Sequence, residues 1–494
     1  MTQRVSDRGT DERCDVVIVG SRLAGACAAA HFAKTGRRVV ALDRSHFPSD
    51  QLSTHLLFPS GIDELRRMGA LEGILAQNPS RSPWLYLDAG EGARLNERWR
   101  AVGSIDYAMC VPRTIQDLEL VKAARAAGAD VRERHRVLDV LWRGGRAVGV
   151  RYADREGVEH NLYAKLVLGA DGRRSPVAAA VGAFAPYRAS RNGRGLVFRY
   201  GTDPLVDTRA GETIYQWRDG NSFGMVFPSA PRGKVLMLFM GPAEEVAHAK
   251  SDPDGYWATK LAQHPAMAER IEGVSGLTQL RSTGDTSAYF RASSGPGWAL
   301  LGDAGHFKDP VVAQGQRDAL WTGRSVAEAT AAKLDDPAAL DLALRRWEHG
   351  RDLECLHAYH FGNIETEIRP VSPVLIEILR RASRTPAPDA SDLFGRARTL
   401  PQVITLPRMA AGLVAAARRG TGGQPVAALM RHAVEELGVH LRIRRELRGG
   451  YFRSSRPIPG SDRPDARPPA YRPAADPTST TARTTTTTNE TVMA

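Results

Sequence analysis

A short glycine-rich turn near the amino end carries the first residues that could bind an anionic ligand. The stretch G-S-R-L-A-G, residues 20–25, follows the apolar run CDVVIVG and precedes an alanine-rich segment that predicts a helix. A tight turn at a helix N-terminus offers backbone N–H groups and a positive dipole to a phosphate. Gly20 makes the turn, and Gly25 lets the helix approach the strand. Arg22 stands where this pattern has its middle glycine, so its side chain must point away from the phosphate or reach outward to it.

An acid follows this turn at the spacing that nucleotide binding requires. Asp43 ends the apolar stretch RRVVALD, and a carboxylate about twenty residues after the turn binds ribose hydroxyls in dinucleotide folds. Arg44 comes directly after it and is a second candidate for cofactor contact. The sequence predicts a nucleotide-binding βαβ unit, because a strand, a turn, a helix, a second strand and a terminal acid occur in the order that such a unit requires. The alternative is an α/β turn that binds no ligand.

Two further pairs of glycine and aspartate follow buried strands. Asp171 and Gly172 come after the apolar run LVLGA, and Gly302 and Asp303 come after GWALL. An Asp-Gly pair by itself is also an ordinary turn. A charge at the end of a buried strand is costly without a partner, and the stretch around Asp303 offers none. We therefore expect a ligand or a distant residue to satisfy it.

The order of these motifs resembles the flavin-dependent monooxygenases of the para-hydroxybenzoate hydroxylase type, a superfamily that also includes flavin-dependent halogenases and geranylgeranyl reductases. The resemblance covers residues 14–345 and includes the stretch DPVVAQG, residues 309–315, after the Gly-Asp pair. It implies FAD as cofactor and NAD(P)H as reductant, with no second nucleotide fold. The implied reaction adds O2 at the flavin C4a position and transfers oxygen to an aromatic or other electron-rich substrate, which is hydroxylated.

The resemblance also implies roles for individual residues. Asp303 would bind the ribityl chain of FAD, and Asp43 would bind the adenosine ribose. Asp171 matches a residue that serves both FAD and NAD(P)H in the family. Arg113, in VPRTIQDLEL, matches an arginine that reaches the FAD phosphates or the ribityl chain.

The loop that would face the flavin ring contains Pro310 and Gly315. Both let the backbone pass close to the ring, and the helix that begins near Gln314 would direct its positive N-terminus at the reduced flavin. We name Pro310 and His55 as the catalytic candidates. His55 and His306 are the residues near the flavin that titrate around neutral pH. For each histidine, a hydrogen-bonded structural role is an equally open interpretation.

Two other activities stay open as alternatives. A reductase of an isoprenoid chain shares the same skeleton, and the stretch from Phe47 to Gly61 does not discriminate between the two. Halogenases add a lysine in a tunnel and a W-x-W-x-I-P motif. The sequence lacks that motif, and Lys308 is the residue that keeps the halogenase alternative open. A non-catalytic nucleotide-binding module is disfavoured because three flavin motifs occur in the right order.

The composition limits the class of protein. The chain has 494 residues, of which 42% are hydrophobic, so two or three domains with a substantial core are expected. The net charge is +12, but the basic residues are dispersed and no nucleic-acid motif is present. We therefore expect a small-molecule substrate and no nucleic acid. A separate flavin reductase as electron donor and the oligomeric state stay open.

The cysteines and the amino-terminal sequence indicate a compartment. Four cysteines show no CxxC spacing, the first residues are polar, and no run of about 18 apolar residues occurs. These features predict a cytoplasmic protein with reduced thiols and no membrane span. No metal site is predicted.

The apolar pattern predicts an α/β chain with a Rossmann-like FAD-binding (βαβ) domain, an inserted antiparallel β-rich substrate domain and a helical C-terminal region. The substrate should lie between the β-rich strands and the flavin. The large side chains on these strands, of which a minority should line the pocket, are Trp217, Phe223, Phe227, Phe239 and Met240. The predicted segments are 10–75, 104–185 and 291–345 for the FAD-binding parts, 76–103 and 186–290 for the substrate domain, 346–450 for the helical region and 451–494 for a disordered tail.

Overall fold

The structure is a computed structural model that describes residues 11–51, 53–190, 193–366, 371–385 and 388–449. The tail predicted over 451–494 lies outside the described residues. The described strands are β1 (Asp11–Val19), β2 (Val39–Asp43), β3 (Leu56–Leu57), β4 (Trp84–Asp88), β5 (Arg94–Arg98), β6 (Met109–Cys110), β7 (Asp130–Glu133), β8 (Arg136–Arg143), β9 (Arg146–Ala153), β10 (Glu159–Gly169), β11 (Arg188–Ala189), β12 (Arg194–Thr202), β13 (Thr213–Asp219), β14 (Ser222–Pro228), β15 (Lys234–Pro242), β16 (Arg281–Thr283), β17 (Tyr289–Phe290), β18 (Ser294–Gly295), β19 (Trp298–Leu300) and β20 (His306–Phe307).

Helices alternate with the strands along the chain and form most of the C-terminal part. They begin with capping residues or prolines at several N-termini, as at Pro59, Pro337 and Pro373, where the missing N–H has no helical partner to lose. The described α-helices are α1 (Leu23–Ala33), α2 (Pro59–Met68), α3 (Leu71–Leu75), α4 (Arg113–Ala126), α5 (Pro176–Ala180), α6 (Ala243–His248), α7 (Pro253–Gln263), α8 (Pro265–Arg270), α9 (Gly315–Thr330), α10 (Pro337–Glu365), α11 (Pro373–Ala382), α12 (Ala390–Phe394), α13 (Leu400–Val403), α14 (Leu406–Arg419) and α15 (Val426–Gly449).

A mainly parallel sheet forms the first layer. Its strand order is β18-β19-β10-β1-β2-β7, with β9 and β8 added on β10. The four pairs among β19, β10, β1, β2 and β7 are parallel. The inner strands are apolar along their inner length because helices and a β-hairpin cover both faces. α1 packs against α9 and α4 on one face.

A second, mostly antiparallel sheet lies beyond the first, in the order β16-β12-β15-β14-β13-β4-β5. Strands from residues 84–98 and from residues 194–283 therefore belong to the same sheet. Alternate side chains enter two different apolar clusters. One cluster faces residues 311–313 and the C-terminal helices, and the other is covered by α7 and α8. Two short sheets, β11-β17-β20 and β3-β6, complete the strand pairing.

The C-terminal helices α10–α13 and α15 pack on one face of the antiparallel sheet, where their residues share an apolar cluster with β12, β14 and β15. Helix α14 packs on α11 and α15. The predicted fold class is confirmed: a Rossmann-like parallel core, an antiparallel sheet and a helical C-terminal region are all present. The segment boundaries stay a proposal. Among the described helices, none has the length and apolar character needed to cross a bilayer.

Candidate active site

The residues singled out in the sequence meet at one edge of the parallel sheet. Gly20 follows β1, Asp43 ends β2, Asp171 lies just past β10, and Asp303 lies just past β19. These four strands are parallel neighbours in the order β19-β10-β1-β2. Their carboxyl ends therefore share one edge, which is where open α/β sheets bind ligands.

The glycine turn needs its glycines for steric reasons. Gly20 has a φ of +94°, and a Cβ there would lie 2.5 Å from a carbonyl oxygen at the end of β10. A Cβ at Gly25 would lie 1.8 Å from the carbonyl oxygen of Gly20. The backbone N–H of Ser21 donates to Asp43 Oδ2 at 2.7 Å, and that of Ser45 donates to Oδ1 at 2.8 Å. These bonds fix the Asp43 carboxylate beside the turn.

Arg22 turns outward and joins a buried ion cluster. Its Nη1 donates to Asp117 Oδ2 at 2.5 Å, and its Nη2 donates to Ser49 Oγ at 2.8 Å. Arg113, at the start of α4, donates two hydrogen bonds of 2.8 and 2.9 Å to the same Asp117 carboxylate. One carboxylate thus faces two guanidinium groups, which leaves net positive charge for a phosphate. Arg44, by contrast, is exposed.

Asp117 was not singled out in the sequence. It lies four residues after Arg113 on the same helix, a spacing that places two side chains on one face. That spacing is the signal that could have found it. The side chain of Asp117 is fully buried, so the cluster is part of the interior of the site.

Among the three acids at this sheet edge, Asp303 is the one whose carboxylate accepts no hydrogen bond from a described residue. It is half-buried, and burial raises its pKa, opposed by the positive charges of Arg173 and Lys308. Gly302 before it has a φ of +51°. The Asp303 carboxylate is therefore free to accept hydrogen bonds from hydroxyl groups.

Asp171 has a different environment. Its carboxylate accepts hydrogen bonds from Ser175 Oγ at 2.5 Å and from the Val177 N–H at 2.9 Å. Burial raises the pKa of Asp171 to about 6, although these two hydrogen bonds lower it. The carboxylate thus holds the start of α5 in place. Its contact with FAD and NAD(P)H stays a prediction.

The loop over 309–315 forms a tight turn at the start of α9. Asp309 accepts a hydrogen bond from the Val311 N–H at 2.9 Å and from Thr286 Oγ1 at 2.8 Å. Pro310 begins a short 3-10 turn, and Gly315 is the first residue of α9. A Cβ at Gly315 would meet nothing within 4 Å. The Cα of Gly315 therefore faces open space at the start of α9.

His55, just before β3, lies buried against Phe198 and Tyr200 of β12 in the antiparallel sheet. It is 1% exposed and adopts a φ of +61°. Its Nδ1 lies 2.5 Å from the hydroxyl of Tyr200, and its Nε2 has no partner within the described residues. Burial and the nearby Arg113 lower the pKa of His55 to about 3. The imidazole is therefore neutral and shares a proton-carrying hydrogen bond with Tyr200.

His306 has a structural environment. Its ring stacks on Phe290 with centroids 4.1 Å apart, and its Nδ1 lies 2.9 Å from the carbonyl oxygen of Tyr289. Burial lowers its pKa well below the usual value. These contacts favour the structural interpretation over a catalytic one.

Lys308 lies in a buried ion cluster beneath the loop. Its Nζ contacts Asp318 Oδ2, and Arg396 from the C-terminal region lies 2.7 Å from Asp318 Oδ1. Burial lowers the pKa of Lys308 to about 7. Ligand atoms of His306, Asp318 and Cys355 come within 4.8 Å of one another. Because three cations, Lys308, Arg317 and Arg396, already pair with Asp318, we assign this group to an ion-pair network and not to a metal.

Some buried polar atoms on the turn, on α4, on α9 and at His55 have no hydrogen-bond partner within the described residues, as have others elsewhere in the described chain. Buried polar groups are rarely left unpaired in proteins, so these atoms are candidates for contact with a polar ligand. The hydroxyls, phosphates and ring amides of a flavin dinucleotide suit such a set. The atoms are Ser21 Oγ, both amide atoms of Gln116, His55 Nε2 and Gln316 Oε1.

The large side chains of the antiparallel sheet divide between its two faces. Phe223, Phe227 and Met240 belong to the cluster that contains residues 311–313. Trp217 and Phe239 belong to the cluster on the opposite face, under α7 and α8. Trp217 and Phe239 therefore belong to the core on the face away from the loop, and the prediction that a minority of the five side chains line the substrate pocket stays a prediction.

Comparisons with known proteins agree on the family. A family model described as "FAD binding domain" matches residues 13–342. Menaquinone reductase from Mycolicibacterium smegmatis is 28% identical over 333 residues, covering 64% of this chain and 76% of that protein. Rifampicin monooxygenase from Streptomyces venezuelae is 27% identical over 330 residues, covering 65% of this chain and 64% of that protein. The structure of the myxobacterial chondrochloren halogenase superposes with a TM-score of 0.65 at 20% identity, covering 82% of this chain and 97% of that one.

Proposed function

The chain belongs to the FAD-binding-domain family, and from this premise we propose that it is a monooxygenase that uses FAD, NAD(P)H and O2 to hydroxylate an aromatic or other electron-rich small molecule. Its membership of a family of FAD-dependent oxidoreductases rests on the family match and on relatives that are reductases, monooxygenases and halogenases. The overall reaction balances as substrate–H, O2, NAD(P)H and a proton giving substrate–OH, water and NAD(P)+. NAD(P)H as the reductant is part of the proposal.

The residues at the sheet edge fit FAD. Asp43 lies beside the glycine turn for the adenosine ribose, and the cluster of Arg22, Arg113 and Asp117 supplies positive charge for the pyrophosphate. Asp303 has a free carboxylate for the ribityl hydroxyls. When bound, FAD supplies the electrons and the site of oxygen activation, which no side chain of the chain can supply.

The single observation that supports chemistry shielded from water is the apolar wall beside the loop. Val311 and Val312 are buried in one cluster with Phe58, Phe198 and Met240. An oxygen-transferring site must exclude water, because water permits side reactions and proton leakage. The wall continues from the loop to the sheet, so a substrate placed there is shielded.

His55 and Tyr200 are the pair that can move a proton in this wall. The Tyr200 hydroxyl lies 2.5 Å from His55 Nδ1, and burial raises the pKa of the Tyr200 hydroxyl. A neutral imidazole can accept a proton at its unprotonated nitrogen while its N–H group donates a hydrogen bond to a neighbour. We propose that this pair takes the proton that the substrate releases during hydroxylation.

Reduction of an isoprenoid chain is the second candidate. The apolar wall suits a hydrocarbon chain as well, and the curated relatives include menaquinone reductase and digeranylgeranylglycerophospholipid reductase. Halogenation has less support from this chain. The sequence lacks the W-x-W-x-I-P motif, and Lys308 is engaged in the ion pair with Asp318.

The experiment that tests the cofactor assignment replaces Asp303. Asp303→Asn removes the charged acceptor of ribityl hydrogen bonds, and we expect FAD retention after gel filtration to fall at least ten-fold relative to the unmodified protein, because charge-assisted hydrogen bonds contribute about 1.5–3 kcal/mol each. The measurement is the ratio of flavin to protein absorbance.

Asp207→Asn is the matched control, since that side chain is 81% exposed and far from the sheet edge. It should retain FAD fully. Equal FAD retention in Asp303→Asn and Asp207→Asn would refute the placement of the ribityl chain at Asp303.

A further inference from the structure

A partly open cavity lies between the antiparallel sheet and the C-terminal helices. Its volume is about 120 Å³, in the range of engineered apolar cavities of about 150 Å³ that hold benzene. Most of its wall is apolar, with Phe223 from the sheet, Phe361 from α10 and Leu379 and Leu393 from α11 and α12. A cavity of this lining and size accepts a ring or a branched chain and not a large polar group.

The charged groups around the cavity are neutralised by protein partners. Arg218 pairs with Glu365 at 3.3 Å. Asp389 pairs with Arg398 at 2.9 Å and with Arg408 at 2.7 Å. Because these charges already have partners, the cavity does not require a charged ligand.

Two uncharged polar side chains line the wall. His440 on α15 is 7% exposed, and its Nδ1 has no hydrogen-bond partner within the described residues. The amide of Gln216, on β13, also lines the cavity. Burial and the nearby Arg444 lower the pKa of His440, so its ring is neutral. A neutral imidazole and an amide together accept and donate to a hydroxyl or a carbonyl group.

The cavity adjoins the loop that should face the flavin. The ring of Phe394, in the cavity wall, lies 5.7 Å from the ring of Phe58, and its carbonyl oxygen accepts a hydrogen bond of 2.6 Å from the Gln314 amide. Phe361, next to it, packs 5.1 Å from Phe394. This aromatic layer connects the cavity wall with Gln314, which precedes Gly315 at the start of α9.

We propose that this cavity binds the apolar body of the substrate, and that the ligand it takes is an uncharged, largely hydrocarbon molecule with one hydroxyl or carbonyl group held by His440 and Gln216. The link between this cavity and oxygenation rests on the proposed function. Ligand binding in the cavity does not depend on that function. Most of the wall comes from residues after 342, beyond the part of the chain that matches the family model. Substrate choice is therefore set mainly by the C-terminal helices.

The test uses two probes that differ by one hydroxyl group, 2-naphthol and naphthalene, titrated into the FAD-loaded protein by isothermal calorimetry. We expect the unmodified protein to bind 2-naphthol about two- to ten-fold more tightly than naphthalene, the range that one hydrogen bond supplies. His440→Leu should bind both probes equally, and His440→Gln should restore part of the difference. His432→Leu, a half-buried position on the same helix, should keep the full difference.

A second variant fills the space. Ala382→Phe adds a ring at a buried wall residue, and both probes should lose measurable binding, whereas Ala410→Phe at an exposed position of α14 should not affect them. FAD absorbance is measured in every sample. Failure of either probe to bind FAD-loaded protein, or equal binding in Ala382→Phe, would overturn the cavity assignment alone. Binding as expected without any oxygenated product would leave the cavity in place and contradict the proposed monooxygenase.

Discussion

At the scale of single residues, the site depends on carboxylates whose environments differ. Asp43 is held by two backbone N–H groups, Asp117 by two arginines, Asp171 by Ser175 and the start of α5, and Asp303 by no described residue. The same type of side chain therefore positions a backbone segment at one site and is available to a ligand at another.

The buried histidine gives a prediction about pH. His55 has a folded-state pKa of about 3, lowered by burial, whereas an unfolded histidine titrates near 6.5. Between these values the unfolded chain binds the extra proton, so His55 makes the protein less stable as pH falls from about 6.5 towards 3. His55→Asn, which tolerates the left-handed backbone, should reduce the slope of unfolding free energy against pH in this window by up to about 1.4 kcal/mol per pH unit.

The measurement is urea unfolding at several pH values between 4 and 7 for both proteins. His248→Asn, at an exposed position on α6, controls for the loss of a histidine far from the site. An unchanged slope in His55→Asn would show that His55 keeps an ordinary titration in the folded protein.

Residue types and spacing predicted part of the site. The glycine turn could be identified because a tight turn requires glycine, and the acids could be identified because each follows an apolar run that predicts a buried strand. Asp117, Gln116 and His440 were not singled out, because their partners come from other elements or from a ligand. Their types alone are equally compatible with ordinary surface or core positions.

At the scale of elements, one arginine adds several polar links between α9 and the C-terminal helices. Arg396, just after α12, donates to Gln314 Oε1 at 2.7 Å and to Asp318 Oδ2 at 2.8 Å, and it contacts Glu354 at 3.2 Å. It adopts a φ of +63°. The residue thus connects the start of α9 with α10 across a buried interface.

Replacing this arginine should loosen the interface. Arg396→Gln removes one of the cations on the buried Asp318 carboxylate while Lys308 remains, so we expect the unfolding free energy to fall by about 1–3 kcal/mol and proteolysis within 397–449 to become faster. Arg384→Gln, at an exposed position, should change stability by less than about 0.5 kcal/mol. Equal stability of the two variants would mean that Arg396 does not hold the helices to α9.

Elements of this chain differ in how far the sequence predicts them. β1, α1 and β2 follow from an apolar run, a glycine turn and a second apolar run, because a parallel core leaves continuous patterns. The assignment of the strands near residues 84–98 to the same sheet as β12–β15 does not follow from any local pattern. Sheet pairing across more than one hundred residues depends on tertiary packing.

At the scale of the whole molecule, the two sheets carry two different candidate binding sites. The parallel sheet carries the acids and the turn that fit FAD, and the antiparallel sheet with the C-terminal helices encloses the apolar cavity. The 13–342 segment matches the family model, whereas α10–α15 supply much of the cavity wall. Cofactor binding should therefore depend on the segment that matches the family model, and the C-terminal helices should set much of the substrate choice.

The central claim is oxygen transfer into a ligand bound in front of the flavin loop. The most direct measurement is turnover of the FAD-loaded protein with NADPH, 2-naphthol and ¹⁸O2, followed by mass spectrometry of the naphthol products and an assay of hydrogen peroxide. The account predicts a hydroxylated naphthol that carries one ¹⁸O atom, with less peroxide than in the absence of 2-naphthol. No labelled product, together with peroxide formed in the same amount as NADPH is consumed, would contradict it.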